Sequence, residues 1–159
     1  MTTVNDKIIA IELPDEFASQ RFAKQLGHCL TAPLLLTFSG DIGAGKTTII
    51  RAMLQHLGIQ SAIKSPTFSL VESYLCNNVP IHHFDLYRIH HEDELEYLGF
   101  RDFFSAKSIC CIEWAEHAGK LLPTADIRFK LSIKGAGRLI QISALSEAGK
   151  RILSCLAGK

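Results

Sequence analysis

The segment Gly40-Asp41-Ile42-Gly43-Ala44-Gly45-Lys46-Thr47 constrains this chain more than any other. It satisfies the pattern G-x-x-x-x-G-K-[ST] at every fixed position. Before it runs Leu34-Leu35-Leu36-Thr37-Phe38, a continuous apolar stretch of the kind expected for a strand buried on both faces. After it, Ile49, Ile50, Met53, Leu54 and Leu57 recur at helical spacing, and Gly58 is placed to end the helix. Strand, glycine-rich loop and helix in that order form the context the motif requires. The glycines let the backbone wrap closely around phosphate with its N–H groups inward. The helix N-terminus adds partial positive charge. Lys46 is expected to reach the β- and γ-phosphates, Thr47 to ligate Mg²⁺, and Thr48 to touch the α-phosphate. A nucleoside triphosphate with Mg²⁺ is therefore the expected ligand, and ATP is favoured because the Asn-Lys-x-Asp segment that reads guanine is absent.

The rest of the chain fits an α/β sandwich. Ile8 to Leu13 alternates like an edge strand, and Pro14-Asp15-Glu16 opens a helix whose Phe17, Phe22, Leu26, Cys29 and Leu30 share a face. Phe68 to Leu75 and Ile81 to Leu86 read as a hairpin around Asn77-Asn78. A short acidic helix follows from Glu92 to Leu98, then a buried strand from Ile109 to Ile112. Ile127 to Ile133 and Leu139 to Ala144 flank Gly135-Ala136-Gly137 as a closing hairpin, and Ile152, Leu153 and Leu156 mark a C-terminal helix. Strands alternating with helices around the loop motif predict a P-loop NTPase-like three-layer sandwich, a mixed sheet with helices on both faces, in one domain over residues 1–159.

Charge and cysteines narrow the function. Seventeen basic against 16 acidic residues leave a net charge of +1, and no basic stripe points to nucleic acid. The five cysteines are odd in number and contain no C-x-x-C, so neither a disulfide framework nor a zinc site is expected. Cys110 and Cys111 read as buried reduced thiols, which favours a reducing compartment. No apolar run is long enough for a membrane span, and the start lacks the pattern of a signal peptide, so a cytoplasmic location is expected.

A phosphate loop needs a carboxylate at the end of a neighbouring strand. Asp85 ends one apolar strand and Glu113 another. One would serve Mg²⁺ and the other would orient the attacking water. Ser65 and Thr67, about twenty residues past Lys46, occupy the region where switch-type NTPases sense the γ-phosphate. Trp114 either packs near the nucleotide, presents a partner surface or is structural. Arg138, beside a glycine pair, could reach phosphate or base, but a solvated hairpin arginine is the better reading. His82-His83 and His90-His91 are not natural chelates, since neighbours on a strand face opposite ways.

The order of these segments resembles the TsaE family of bacterial ATPases. The resemblance rests on the loop, on Lys64-Ser65-Pro66-Thr67-Phe68, Val71-Glu72-Ser73-Tyr74, His83-Phe84-Asp85-Leu86-Tyr87-Arg88, Glu94-Leu95, Leu98-Gly99 and Ile112-Glu113-Trp114. It runs over nearly the whole chain. It implies a role in making N6-threonylcarbamoyladenosine in tRNA, as an ATP-driven switch on a TsaD–TsaB complex rather than as the transferase. It implies that Asp41, Ile42, Gly43, Ala44, Gly45, Lys46, Thr47, Thr48, Asp85, Trp114 and Arg138 surround the nucleotide. It implies that Lys46, Asp85, Glu113 and Thr67 serve catalysis, and that Thr47, Glu113 and Asp85 serve Mg²⁺. The other functions weighed are a small-molecule kinase, a GTPase and a nucleotide-dependent binding module. A kinase would be expected to carry an arginine-bearing lid, and the seven arginines are widely spaced.

Overall fold

β2 (Leu34–Ser39) is the spine of the molecule, and all but its last residue are buried. The computed structural model describes residues 8–59, 70–104 and 107–158. Within them the strands are β1 (Ile8–Leu13), β2, β3 (Val71–Cys76), β4 (Val79–Asp85), β5 (Ile109–Glu113), β6 (Ile127–Lys134) and β7 (Gly137–Ala144). They form one mixed sheet in the order β1-β7-β6-β2-β5-β4-β3. β2 lies parallel to both β5 and β6, and β4 lies parallel to β5. The edges are antiparallel, β1 on β7 and β3 on β4.

The helices are α1 (Glu16–Cys29), α2 (Lys46–His56), α3 (Glu92–Tyr97) and α4 (Glu147–Leu156). Alternate residues of β2 divide between two cores, as a strand covered on both faces requires. Leu34, Leu36 and Phe38 pack with α1, α2 and α4, while Leu35 packs with α3 and its surroundings. Phe38 stacks on Phe129 of β6 with ring centroids 4.7 Å apart. The expected three-layer sandwich is therefore the observed one. The edge position of β1, the Asn77-Asn78 turn and the closing hairpin also hold. Both asparagines have positive φ, 50° and 67°, as a two-residue turn matched to strand twist demands. Two 3₁₀ segments, Phe100–Phe103 and Ala115–Leu121, join the second core and carry no sequence period that would have revealed them.

Asp126 ties three elements together at the base of the sheet. Its carboxylate accepts from Leu35 N at 2.8 Å and from Ser146 Oγ at 2.6 Å. Its carbonyl accepts from Leu145 N at 2.8 Å. Ser146 in turn caps α4 through Gly149 N. The N-terminus of α1 is held the same way, by Asp15 accepting from Ala18 N at 2.8 Å.

One expectation is overturned. Cys29, the last residue of α1, is disulfide-bonded to Cys155 of α4, 126 positions away. Neither an odd cysteine count nor local spacing carries a pairing that arises only when the first and last helices pack side by side. Cys76, Cys110 and Cys111 are free, and the last two are buried. Burial pushes the Cys110 thiol up to about 11 and the Cys111 thiol further up. Thiolate is the reacting form, so both should be inert near pH 8. Iodoacetamide applied to the native, unreduced protein is expected to modify Cys76 alone, read by peptide mass mapping. Label on Cys29 or Cys155 would show that the bridge is open. No helix among the described residues is long and apolar enough to cross a membrane.

Candidate functional site

The parallel centre of the sheet brings three chain segments to one edge. Phe38 of β2 is level with Glu113 of β5, which is level with Asp85 of β4. The glycine-rich loop leaves β2 one residue beyond Ser39, so both acids stand beside it.

The loop's shape depends on glycine. Gly40 has φ 135°, and a Cβ there would lie 2.3 Å from the Leu131 carbonyl oxygen of β6. Gly45 has φ 103° and precedes α2 in the left-handed region. No side chain caps α2 and no acid occupies its first turn. Its leading N–H groups thus face outward without a competing anion, the arrangement that receives phosphate.

Lys46 is 6% exposed. Its ammonium donates to the carbonyls of Gly40 and Asp41 and lies 4.5 Å from the centre of the Trp114 ring. Thr47 Oγ1 is 2.9 Å from each carboxylate oxygen of Glu113 and donates to that group. Glu113 is 2% exposed and also meets His83 Nε2 at 2.7 Å. Asp85 is half-buried and accepts from Tyr87 N at 3.1 Å. Burial, aided by the charge of Glu113, raises its carboxyl above the ordinary range against the opposing pull of the Tyr87 N–H, His83 and Lys46.

Trp114 sits at φ 59° on the turn after β5, and its indole forms a wall over Lys46. Tyr87 stands 5.0 Å from it and His117 5.5 Å, centroid to centroid. Arg138 is not a free solvated side chain. It donates from Nε to Ala44 O at 3.1 Å and from a terminal nitrogen to Gly43 O at 3.2 Å, bracing the loop from the β6–β7 hairpin. A cavity of about 360 Å³ is lined by Ile42, Gly43, Lys46, Thr47, Asp85, Glu113, Trp114 and Arg138. A second, of about 340 Å³, shares Gly45, Thr48 and Arg138 and is floored by Leu13, Ile49 and Leu131, with Asp15 and Ser19 at its side. The two cavities share part of their lining, and each is in the size range of small-molecule sites.

Of the residues expected from sequence, Lys46, Thr47, Thr48, Asp85, Glu113, Trp114 and Arg138 converge here, together with Ile42, Gly43, Ala44 and Gly45 of the loop. Asp41 contributes its carbonyl, to Lys46. Ser65 and Thr67 lie outside the described residues. His83 was missed. The available signal was its place two residues before Asp85 on one strand, which puts both side chains on one face.

Fold and loop together define a P-loop NTPase-like α/β protein. The model of a family described as threonylcarbamoyl adenosine biosynthesis protein TsaE matches residues 13–140. The chain is 42% identical over 150 residues to the tRNA threonylcarbamoyladenosine biosynthesis protein TsaE of Haemophilus influenzae, covering 91% of this chain and 95% of that one. It is 40% identical over 103 residues to the protein of the same name from Bacillus subtilis, covering 65% of this chain and 63% of that one. The crystal structure of Bacillus subtilis YdiB matches with a TM-score of 0.75 at 24% identity, over 96% of this chain and 95% of that one, which speaks for the fold. The chain belongs to the TsaE family.

Proposed function

We propose that this chain is a Mg²⁺-dependent ATPase serving N6-threonylcarbamoyladenosine modification of tRNA, as a switch on a TsaD–TsaB complex rather than as the transferase. The observation that carries the nucleotide reading is the Thr47–Glu113 hydrogen bond. It joins the loop hydroxyl to a strand-end carboxylate beside an uncapped helix N-terminus and Lys46. The relatives' names carry the pathway.

The donor set suits Mg²⁺. A hydroxyl and carboxylates are hard oxygen ligands, and Mg²⁺ asks only one or two protein carboxylates when phosphates complete its shell. With its proton committed to Glu113, the Thr47 oxygen keeps lone pairs for a cation. Thr47 and Glu113 would hold the ion, and Asp85 stands at the adjacent strand end as the water-orienting acid. When bound, the ion would neutralise charge on the phosphates. The loop N–H groups and Lys46 stabilise the charge that develops on the γ-phosphoryl oxygens as water attacks in line. Trp114 and Tyr87 wall off one side of the chamber. Thr67, outside the described residues, is assigned the switch role in this reading on sequence alone. The chamber beside Leu13, Ile49 and Leu131 offers apolar side chains for the adenosine end.

Arg138 already serves the loop carbonyls, so the described residues present no finger for the γ-phosphate. Turnover by the isolated protein is therefore slow, and the partners complete the site. tRNA is reached through the complex. The test is ATP hydrolysis by the pure protein, alone and with TsaD and TsaB. Strong stimulation by the partners is expected. Its absence, with phosphate appearing on a small metabolite instead, would establish a kinase.

A further inference from the structure

Beside Glu113, the described part of the site holds a second buried polar side chain that neither binds phosphate nor belongs to the loop. His83 of β4 is 1% exposed and lies level with Cys111, so its ring reaches diagonally to Glu113. Nε2 is 2.7 Å from Glu113 Oε2. The partner is a carboxylate oxygen, an acceptor, so Nε2 carries the proton. Nδ1 is buried and has no hydrogen-bond partner among the described residues.

That orphan nitrogen speaks against a purely structural role. Buried polar atoms are nearly always paired, and an apolar side chain of the same size would fill this place without leaving one unmatched. What histidine supplies here, and leucine would not, is the N–H aimed at Glu113. The carboxylate needs it. Thr47 Oγ1 is equidistant from both carboxylate oxygens, so one hydroxyl proton serves two acceptors and does not choose between them. A donor from a different strand, fixed by a rigid ring, sets the carboxylate's rotation. The carboxylate then sets which way the Thr47 oxygen presents its lone pairs.

We propose that His83 is a positioning residue: its Nε2–H orients Glu113, and through Glu113 the Thr47 hydroxyl, toward the cation that accompanies a nucleotide phosphate. The inference rests on the Mg²⁺–nucleotide reading above and adds a third member to its Thr47–Glu113 pair.

The test compares three variants. In His83→Gln the side-chain amide nitrogen reaches the place of Nε2. In His83→Asn the amide is too short to do so. In His83→Leu the volume stays and the donor goes. The direct readout is affinity for a fluorescent ADP analogue in Mg²⁺ and in EDTA, since the ratio isolates the cation's share of binding. His83→Leu and His83→Asn should shrink that ratio about tenfold, the usual range for groups that orient metal ligands, with affinity in EDTA unchanged. His83→Gln should restore most of it. In partner-stimulated hydrolysis, kcat should fall about tenfold in the Leu and Asn variants while KM for ATP moves little. Thermal unfolding of each variant is measured alongside. Should His83→Leu fold poorly, the Gln against Asn comparison decides. An unchanged Mg²⁺ ratio in all three would overturn the proposal. So would equal loss in Gln and Asn, which marks a packing role. Failure of the unaltered protein to bind the analogue at all would refute the nucleotide reading instead, and is seen separately.

Discussion

Lys46→Ala should abolish ATP turnover, by about 10²- to 10³-fold or more, while the protein stays folded. The loss follows from where the ammonium stands. Its partners are the backbone carbonyls of Gly40 and Asp41 in the loop, and an aromatic face. None of these is a carboxylate that would keep it from phosphate. Arg138 enters from the β6–β7 hairpin and braces the loop at Gly43 and Ala44, so it does not stand where the Lys46 ammonium does. The fold should survive because carbonyls at a loop can turn to water when the lysine goes. Partner-stimulated phosphate release measures the activity, and circular dichroism on heating measures the fold. Turnover within a factor of a few of the unaltered protein would remove this loop from the chemistry.

Gly149→Ala should destabilise the protein by about 3 kcal/mol, a fall in melting temperature of about 6–12 °C for a chain of this size. Two effects oppose each other. Alanine is the better helix former, worth about 1 kcal/mol inside a helix. Against that, a Cβ at 149 would sit 1.8 Å from the Asp126 carbonyl oxygen and 2.8 Å from its carbon. Those are backbone atoms at the start of β6, and the same carbonyl accepts from Leu145 N. No rotamer relieves the overlap, so α4 must move off the sheet and loosen its Ser146 cap. The clash therefore wins. Differential scanning calorimetry settles the sign, and a variant at least as stable would mean that α4 is free to shift.

The loop, its strand and its helix were legible because glycine spacing and apolar periodicity agreed along one stretch from Leu34 to Leu57. The edge character of β1 was legible for the same local reason, its burial alternating along the strand. What sequence could not show was contact between distant segments. Nothing marks Cys29 for Cys155, or an arginine after Gly137 for the carbonyls of Gly43 and Ala44, until the sheet order puts hairpin and loop side by side. Asp85 and Glu113 were found as strand-end acids but were interchangeable. Only the register of β2, β5 and β4, with the Thr47 contact, distinguishes their surroundings. His83 was hidden by its neighbour: a histidine pair draws the eye to chelation, whereas on the strand one ring faces Phe103 and the other Glu113.

The bridge between Cys29 and Cys155 also changes what kind of object the polypeptide is. From the end of α1 to α4 the chain becomes a covalent ring, preceded by β1 and the rest of α1 and followed by a short tail. Every residue assigned here to phosphate, cation or carboxylate chemistry, from Asp41 to Arg138, lies within the ring. A single backbone cut anywhere along it opens the circle without releasing a fragment.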